Sequence, residues 1–224
     1  MENKTKTSTP SHFSDTAFDQ LMQKRIHKVL LICSSYDAFM LEEDGRIDEQ
    51  IFNEYVSLNL RYPPQFIQVA SADEAFEVLK NDQIDLVITM LSVGGMDPFL
   101  LSRKIKENHQ DTPIVVLTPF SREVSMQLSR EDTSAIDYIF CWLGNANLLL
   151  AIIKLIEDRI NAEHDIHEIV VQSIILVEDS VRFYSSYLPL IYKIVFEQSK
   201  KFMQEGLNEH QKMMRMRGRP KILL

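Results

Sequence analysis

Asp85-Leu-Val-Ile-Thr-Met90-Leu-Ser-Val-Gly-Gly-Met-Asp97-Pro98 is the stretch on which the fold turns. Leu86-Val-Ile88 is apolar without alternation, the pattern of a strand covered by helices on both faces. Asp97-Pro98 pairs an N-cap residue with proline at the first helical position, so the glycine-containing loop between them must feed a helix. Strand, loop and helix in 24 residues, 85–108, form half of a crossover unit.

The same pattern repeats outward. Strands are expected at 29–33, 66–70, 85–90, 114–118 and 137–141, with helices at 47–60, 72–81, 98–108, 122–130 and 147–166. Ser71-Ala-Asp-Glu74 reads as a capping box and Ser121 as the cap of the fourth helix. Strands alternating with helices predict an α/β fold with a doubly wound parallel sheet of five strands. Residues 1–26 form a polar arm, with Ser14-Asp15 as a helix start and Phe18, Leu21 and Met22 as a short apolar face.

The 224 residues suffice for one ordinary domain and a smaller lobe. Hydrophobic residues at 45% and charged residues at 25% are ordinary globular values. A net charge of -8 repels phosphate backbones and anionic lipid, which disfavours nucleic acid and membrane surfaces as partners. Met1 to Pro10 contains no apolar run of a secretory signal, and the apolar stretch 147–156 is interrupted by Lys154, so a cytoplasmic protein is expected. Cys33 and Cys141 fall near the ends of the first and fifth strands. In the 2-1-3-4-5 strand order common in such sheets two strands would lie between them, roughly 14 Å at about 4.8 Å per strand, beyond the roughly 7 Å that a disulfide spans, so buried reduced thiols are expected.

The flanks of Met90, with Pro113-Ile-Val-Val-Leu-Thr118 and Asp137-Tyr-Ile-Phe-Cys141-Trp142, resemble a response-regulator receiver domain over residues 27–166. That resemblance implies a flavodoxin-like sheet of order 2-1-3-4-5. It also implies four functional positions: an acidic pair after the first strand for Mg²⁺, an acceptor aspartate after the third, a hydroxyl after the fourth and a lysine after the fifth. Carboxylates suit hard Mg²⁺, and hydroxyl and ammonium groups stabilise phosphoryl oxygens. In this chain Cys33 and Ser34 stand for the acidic pair, Met90 for the acceptor and Cys141 for the lysine; Thr118 alone is retained. A thioether offers no anionic oxygen to form an acyl phosphate. Tyr138 matches the aromatic that changes rotamer in working receivers and is expected to be a static packing residue. Trp142 replaces the proline that usually follows the lysine, so a trans bond is expected there. Around Gly45, the acidic residues 42–49 lack the ligand alternation of a calcium loop; Asp48 and Glu49 read instead as first-turn acids of a helix.

Beyond 168 a second unit begins, 169–224: a strand at 173–177 ending in Glu178-Asp179-Ser180, a helical stretch over 182–214, and a strand opening at Lys221. Pro189 is expected to kink the helix, and Gly206 to weaken it. Glu178 and Asp179 resemble the Mg²⁺-binding pair of a second receiver, a metal site only in a complete one. Together with Arg215-Met-Arg-Gly-Arg-Pro-Lys221, this organisation resembles the amino-terminal regulatory region of bacterial proteins related to phosphoenolpyruvate synthase and pyruvate phosphate dikinase. No G-x-x-x-x-G-K-[ST] phosphate loop occurs.

The resulting expectation is a non-catalytic regulatory or protein-interaction module without a cofactor in its first domain, partnered by another protein or by a parent's own catalytic domains. The alternative is a phosphorelay component whose acceptor lies in a second receiver beyond Leu224. A smaller alternative, minor-groove binding through Arg217-Gly-Arg-Pro220, competes with a plain turn before a strand. Leu188, Ile191, Val195 and Phe202 form an apolar stripe on the long helix, and self-association through the second lobe is expected to cover it.

Overall fold

The computed structural model describes residues 20–42, 46–58, 60, 62–91, 96–119, 131–142, 147–202 and 218–224. Five parallel strands, β1 (Lys28–Ile32), β2 (Gln65–Val69), β3 (Leu86–Met90), β4 (Ile114–Pro119) and β5 (Tyr138–Trp142), form one sheet in the order β2-β1-β3-β4-β5. The helices are α1 (Ser35–Leu41), α2 (Ile47–Ser57), α3 (Ala72–Asn81), α4 (Pro98–Asn108), α5 (Asn147–His167) and α6 (Val181–Phe202). This is the doubly wound arrangement expected from the strand–helix alternation, in the flavodoxin-like order that the receiver resemblance implied.

Both faces of the sheet are apolar because helices cover both. Leu30, Ile32, Val87 and Ile114 pack with Ala75 and Leu79 of α3 and Leu101 and Ile105 of α4. On the other face Leu31, Ile88, Met90, Val115 and Leu117 pack with Ile51 and Tyr55 of α2 and with the apolar run of α5. Capping follows the sequence signals: Ser71 accepts from Glu74 N–H, and Asp97 from Phe99 and Leu100 N–H.

Several boundaries differ from expectation. The segment after β1 is helical: Ser34 caps α1, which buries Ala38 and Leu41. The next helix, α2, stops at Ser57, short of 60, and carries Asp48 and Glu49 in its first turn. The expected helix 122–130, the calcium-loop centre at Gly45, the arm residues through Phe18 and the helical continuation through Gly206 lie outside the described residues. Leu21 and Met22 are buried against Val171.

A second, two-stranded parallel sheet joins β6 (Ser173–Ile175) to β7 (Lys221–Leu223). The first of these ends two residues earlier than expected, leaving Val177 89% exposed. α6 runs through Pro189 and packs on α5 and β5, while β7 packs on α5. Leu188, Tyr192, Phe196 and Ile222 join the same core as α2 and α5, with Ile191 and Val195 partly buried against it. Of the stripe expected to need a second copy, Leu188 is therefore covered by the chain itself and Ile191 and Val195 partly so, while the Phe202 side chain lies outside the described residues. The physical reason is that α5 and the outer edge of β5 present apolar area that the sequence pattern did not reveal as vacant.

Candidate functional site

In a doubly wound sheet the ligand-binding edge is at the carboxyl ends of the strands. Register places the singled-out residues there: Ile32 pairs with Thr89, Met90 with Leu117, and Thr118 with Cys141. Cys33 continues its strand by donating its N–H to Val69 O at 3.0 Å. Cys33, Met90, Thr118 and Cys141 are all buried, with Met90 5% exposed. The Met90 side chain belongs to the apolar cluster that holds Cys33, Leu117 and Phe140. Thr118 Oγ1 donates to Pro119 O at 3.0 Å, so its hydroxyl is engaged by its own strand.

Ser34 works as a helix cap. Its Oγ accepts from Asp37 N–H at 3.1 Å and donates to Asp37 Oδ2 at 2.7 Å. Asp37, the first acid after β1, was missed as a local partner, although Ser34-Ser-Tyr-Asp37 carries the capping-box spacing. Burial pushes the Cys33 thiol up to about 12, and the negative charges of Asp37 and Glu42 add to it. Burial also raises Cys141, against the opposing charge of Arg182. Both cysteines are free thiols and far from the thiolate form that reacts.

Tyr138 lies under the Arg159 guanidinium, 5.3 Å from the ring centroid, and 6.1 Å from the Phe140 ring. Glu178 Oε1 accepts from Ser180 N–H at 3.0 Å, and Asp179 is exposed. Among the described residues no three His, Cys, Asp or Glu side chains converge as a metal site would require. All peptide bonds among them are trans, including Cys141–Trp142.

Two polar arrangements escaped the sequence reading. The first seals the outer edge of β5: Cys141 N–H donates to Ser185 Oγ at 2.8 Å, and Tyr184 OH donates to Ile139 O. Unpaired edge groups are thereby satisfied by side chains of α6. The Tyr184 ring also meets Phe140 edge-on at 5.4 Å.

The second runs along the carboxyl half of α5, where Glu157, Asp158, Asn161 and Asp165 are all buried. Asp158 receives both guanidinium nitrogens of Arg219 at 2.8 Å, Tyr192 OH at 2.8 Å and Ile222 N–H at 3.0 Å. Asp165 pairs with Lys221 at 2.7 Å and accepts from Met22 N–H at 3.2 Å. Asn161 accepts from Lys24 N–H and Glu157 from Ile26 N–H. Every buried acid on this face thus answers Lys221 of the last strand, Arg219 just before it, or an N–H of the arm, and Glu157 also pairs with Lys154 of its own helix at 2.7 Å. Arg219 also stacks over Phe196 and Tyr192 with its side chain enclosed, so it is not offered to a DNA groove; Arg217 lies outside the described residues. One sequence signal was available: polar residues at helical spacing, 154, 157, 158, 161 and 165, recurring on one side of an otherwise apolar helix.

The edge, sheet order and covering helices define a flavodoxin-like, doubly wound α/β sheet. Parts of the chain are similar to the following known proteins. The CheY-like receiver domain of a response regulator from Methanospirillum hungatei JF-1 matches with 16% identity, covering 62% of this chain and 98% of that one at a TM-score of 0.47. The signal receiver domain of an HD domain-containing protein from Pseudomonas fluorescens Pf-5 matches with 18% identity over 63% of this chain and 94% of that one, at a TM-score of 0.43. In sequence, 73 residues are 37% identical to the transcriptional regulatory protein YvrH of Bacillus subtilis (strain 168), which is 33% of this chain and 30% of that protein. No family model matches the chain. Among the described residues no helix is long and apolar enough to cross a membrane.

Proposed function

We propose that this chain is a receiver-like signalling module that acts through protein contacts and has lost the aspartyl phosphate chemistry of its first sheet. The observation that carries the reading is Met90 at the carboxyl end of β3, buried among apolar neighbours where an acceptor carboxylate would need to meet solvent and metal. Cys33 and Cys141 on β1 and β5 reinforce it, since neither supplies Mg²⁺ with a hard anionic oxygen nor phosphate with a cation. Transmission would then depend on a protein partner, with residues 169–224 contributing to the module.

Incubation of the whole chain with acetyl phosphate and Mg²⁺, followed by intact mass, tests this. The expected spectrum is unmodified; a phosphoryl adduct mapped within residues 27–166 would sink the reading. Met90→Asp is expected to remain unmodified as well, because one carboxylate restores neither metal ligands nor the missing cation.

A second reading rests on Glu178 and Asp179 following β6 as an acidic pair. In that reading residues 169–224 open a second receiver whose acceptor lies further along a parent related to phosphoenolpyruvate synthase. A longer chain that takes phosphate on an aspartate after Leu224 would favour it; a longer chain with no such aspartate removes it.

A further inference from the structure

α6 is apolar on two opposite faces. Ser185, Leu188, Tyr192 and Phe196 form the buried face, each no more than 1% exposed. About half a turn away, Phe183, Tyr187, Leu190 and Ile194 are 49%, 43%, 59% and 58% exposed. The rings of Phe183 and Tyr187 stack at 6.0 Å, so the exposed stripe is already ordered at one end. A helix that is apolar all round is ordinarily a buried one, and a contiguous exposed apolar stripe marks an interaction surface.

The spacing of the stripe says what covers it. Steps of four, three and four residues make a heptad seam. Because these steps read the same in either direction, a second α6 running antiparallel sets Phe183 against Ile194 and Tyr187 against Leu190, and the partner's residues do the same in return. Aromatic rings then meet aliphatic chains at every level, over about 17 Å of helix. Charge selects this orientation over a parallel one. Half-buried Glu178 and exposed Asp179 precede the helix and outweigh exposed Arg182 at its start, while exposed Lys193, Lys200 and Lys201 outweigh exposed Glu197 toward its other end. Antiparallel pairing sets the acidic end beside the partner's basic end; parallel pairing would stack like charges.

We infer that a second copy of this chain docks antiparallel on the Phe183–Tyr187–Leu190–Ile194 stripe, giving a twofold, self-complementary dimer. This surface is opposite the one that buries Leu188, and it does not depend on the state of the Met90 pocket.

Light scattering on the whole chain is expected to give twice the mass of one chain. The Leu190→Glu/Ile194→Glu variant is expected to give the monomer mass with an unchanged circular-dichroism spectrum, since both positions are exposed within one copy. Orientation is read from cysteine pairs: Tyr187→Cys/Leu190→Cys should form a disulfide-linked dimer under mild oxidant, whereas Leu190→Cys alone should not. Cys33 and Cys141 are buried and do not compete. A monomeric parent chain, a dimer that survives Leu190→Glu/Ile194→Glu, or equal crosslinking by Leu190→Cys alone would each overturn the proposal.

Discussion

The two halves of α5 are buried to different extents, the first at nearly every position and the second along one face, and they are differently made. Leu148 through Ile153 form an apolar surface on the sheet, and any well-packed aliphatic set would serve there. From Glu157 to Asp165 the buried face is acidic or amide, and each group has a specific partner in the arm, α6 or β7. Apolar burial is non-directional, so the first half fixes that the helix packs but little about its neighbours. Buried charges are costly without partners, so the second half decides which segments dock and in what register.

The largest way to break this contrast is Arg219→Ala. It leaves Asp158 buried and short of its bidentate partner, and a loss of about 3–5 kcal/mol is expected in urea unfolding. Removing both charges together, Asp158→Asn/Arg219→Met, keeps an amide oxygen for Tyr192 OH and Ile222 N–H and should cost clearly less than the single change. A double variant as damaged as the single one would mean that packing, not charge, makes this contact. Next in size, Ile152→Ala in the apolar half should cost about 2–4 kcal/mol through lost transfer and a cavity, and conservative Ile152→Leu under about 1.5 kcal/mol.

A smaller effect links the polar half to the sheet. Asp137 is held below the ordinary carboxylate range: burial pushes it up, but Ile114 N–H, Lys106 at 3.0 Å and Arg159 of α5 at 2.9 Å outweigh that. A lowered folded-state pKa means that the unfolded chain binds the proton more readily. The stabilisation is therefore complete above about pH 4, the unfolded value, and is lost as pH falls through the folded one. Asp137→Asn should cost about 1.5–3 kcal/mol at neutral pH and flatten the acid side of the stability–pH curve; an unchanged curve would remove Asp137 from the account.

Smallest of all, and opposite in sign, is Val170→Gly. Val170 follows α5 at a φ of 63° and is 71% exposed, a left-handed position for a β-branched residue with little packing to lose. Relief of that strain, offset by the greater freedom of glycine when unfolded, should raise stability by at most about 1 kcal/mol in the same urea assay. A loss instead would show that Val170 packs more than its exposure suggests.

Legibility followed the range of the interactions. α3 and α4 match their expected spans because cap, proline and periodicity all lie within a dozen residues. α1 was missed because seven residues are too short for periodicity to register, although its capping serine and aspartate were visible. Cys33, Met90, Thr118 and Cys141 could be assigned to one edge because parallel strands of nearly equal length end together. Their burial could not be read, nor could the seal of Ser185 and Tyr184 on β5, which lies more than 40 residues away in sequence.

By itself the sequence determined the doubly wound sheet and the residue types at its carboxyl edge, because strand burial, capping and the chemistry of a thioether are local properties. Tertiary structure alone decided that the stripe of Leu188 turns inward, that its opposite face is left to solvent, and that Arg219 and Lys221 serve Asp158 and Asp165. Those outcomes depend on which distant surface is vacant and which buried charge lacks a partner, and no pattern along the chain encodes either.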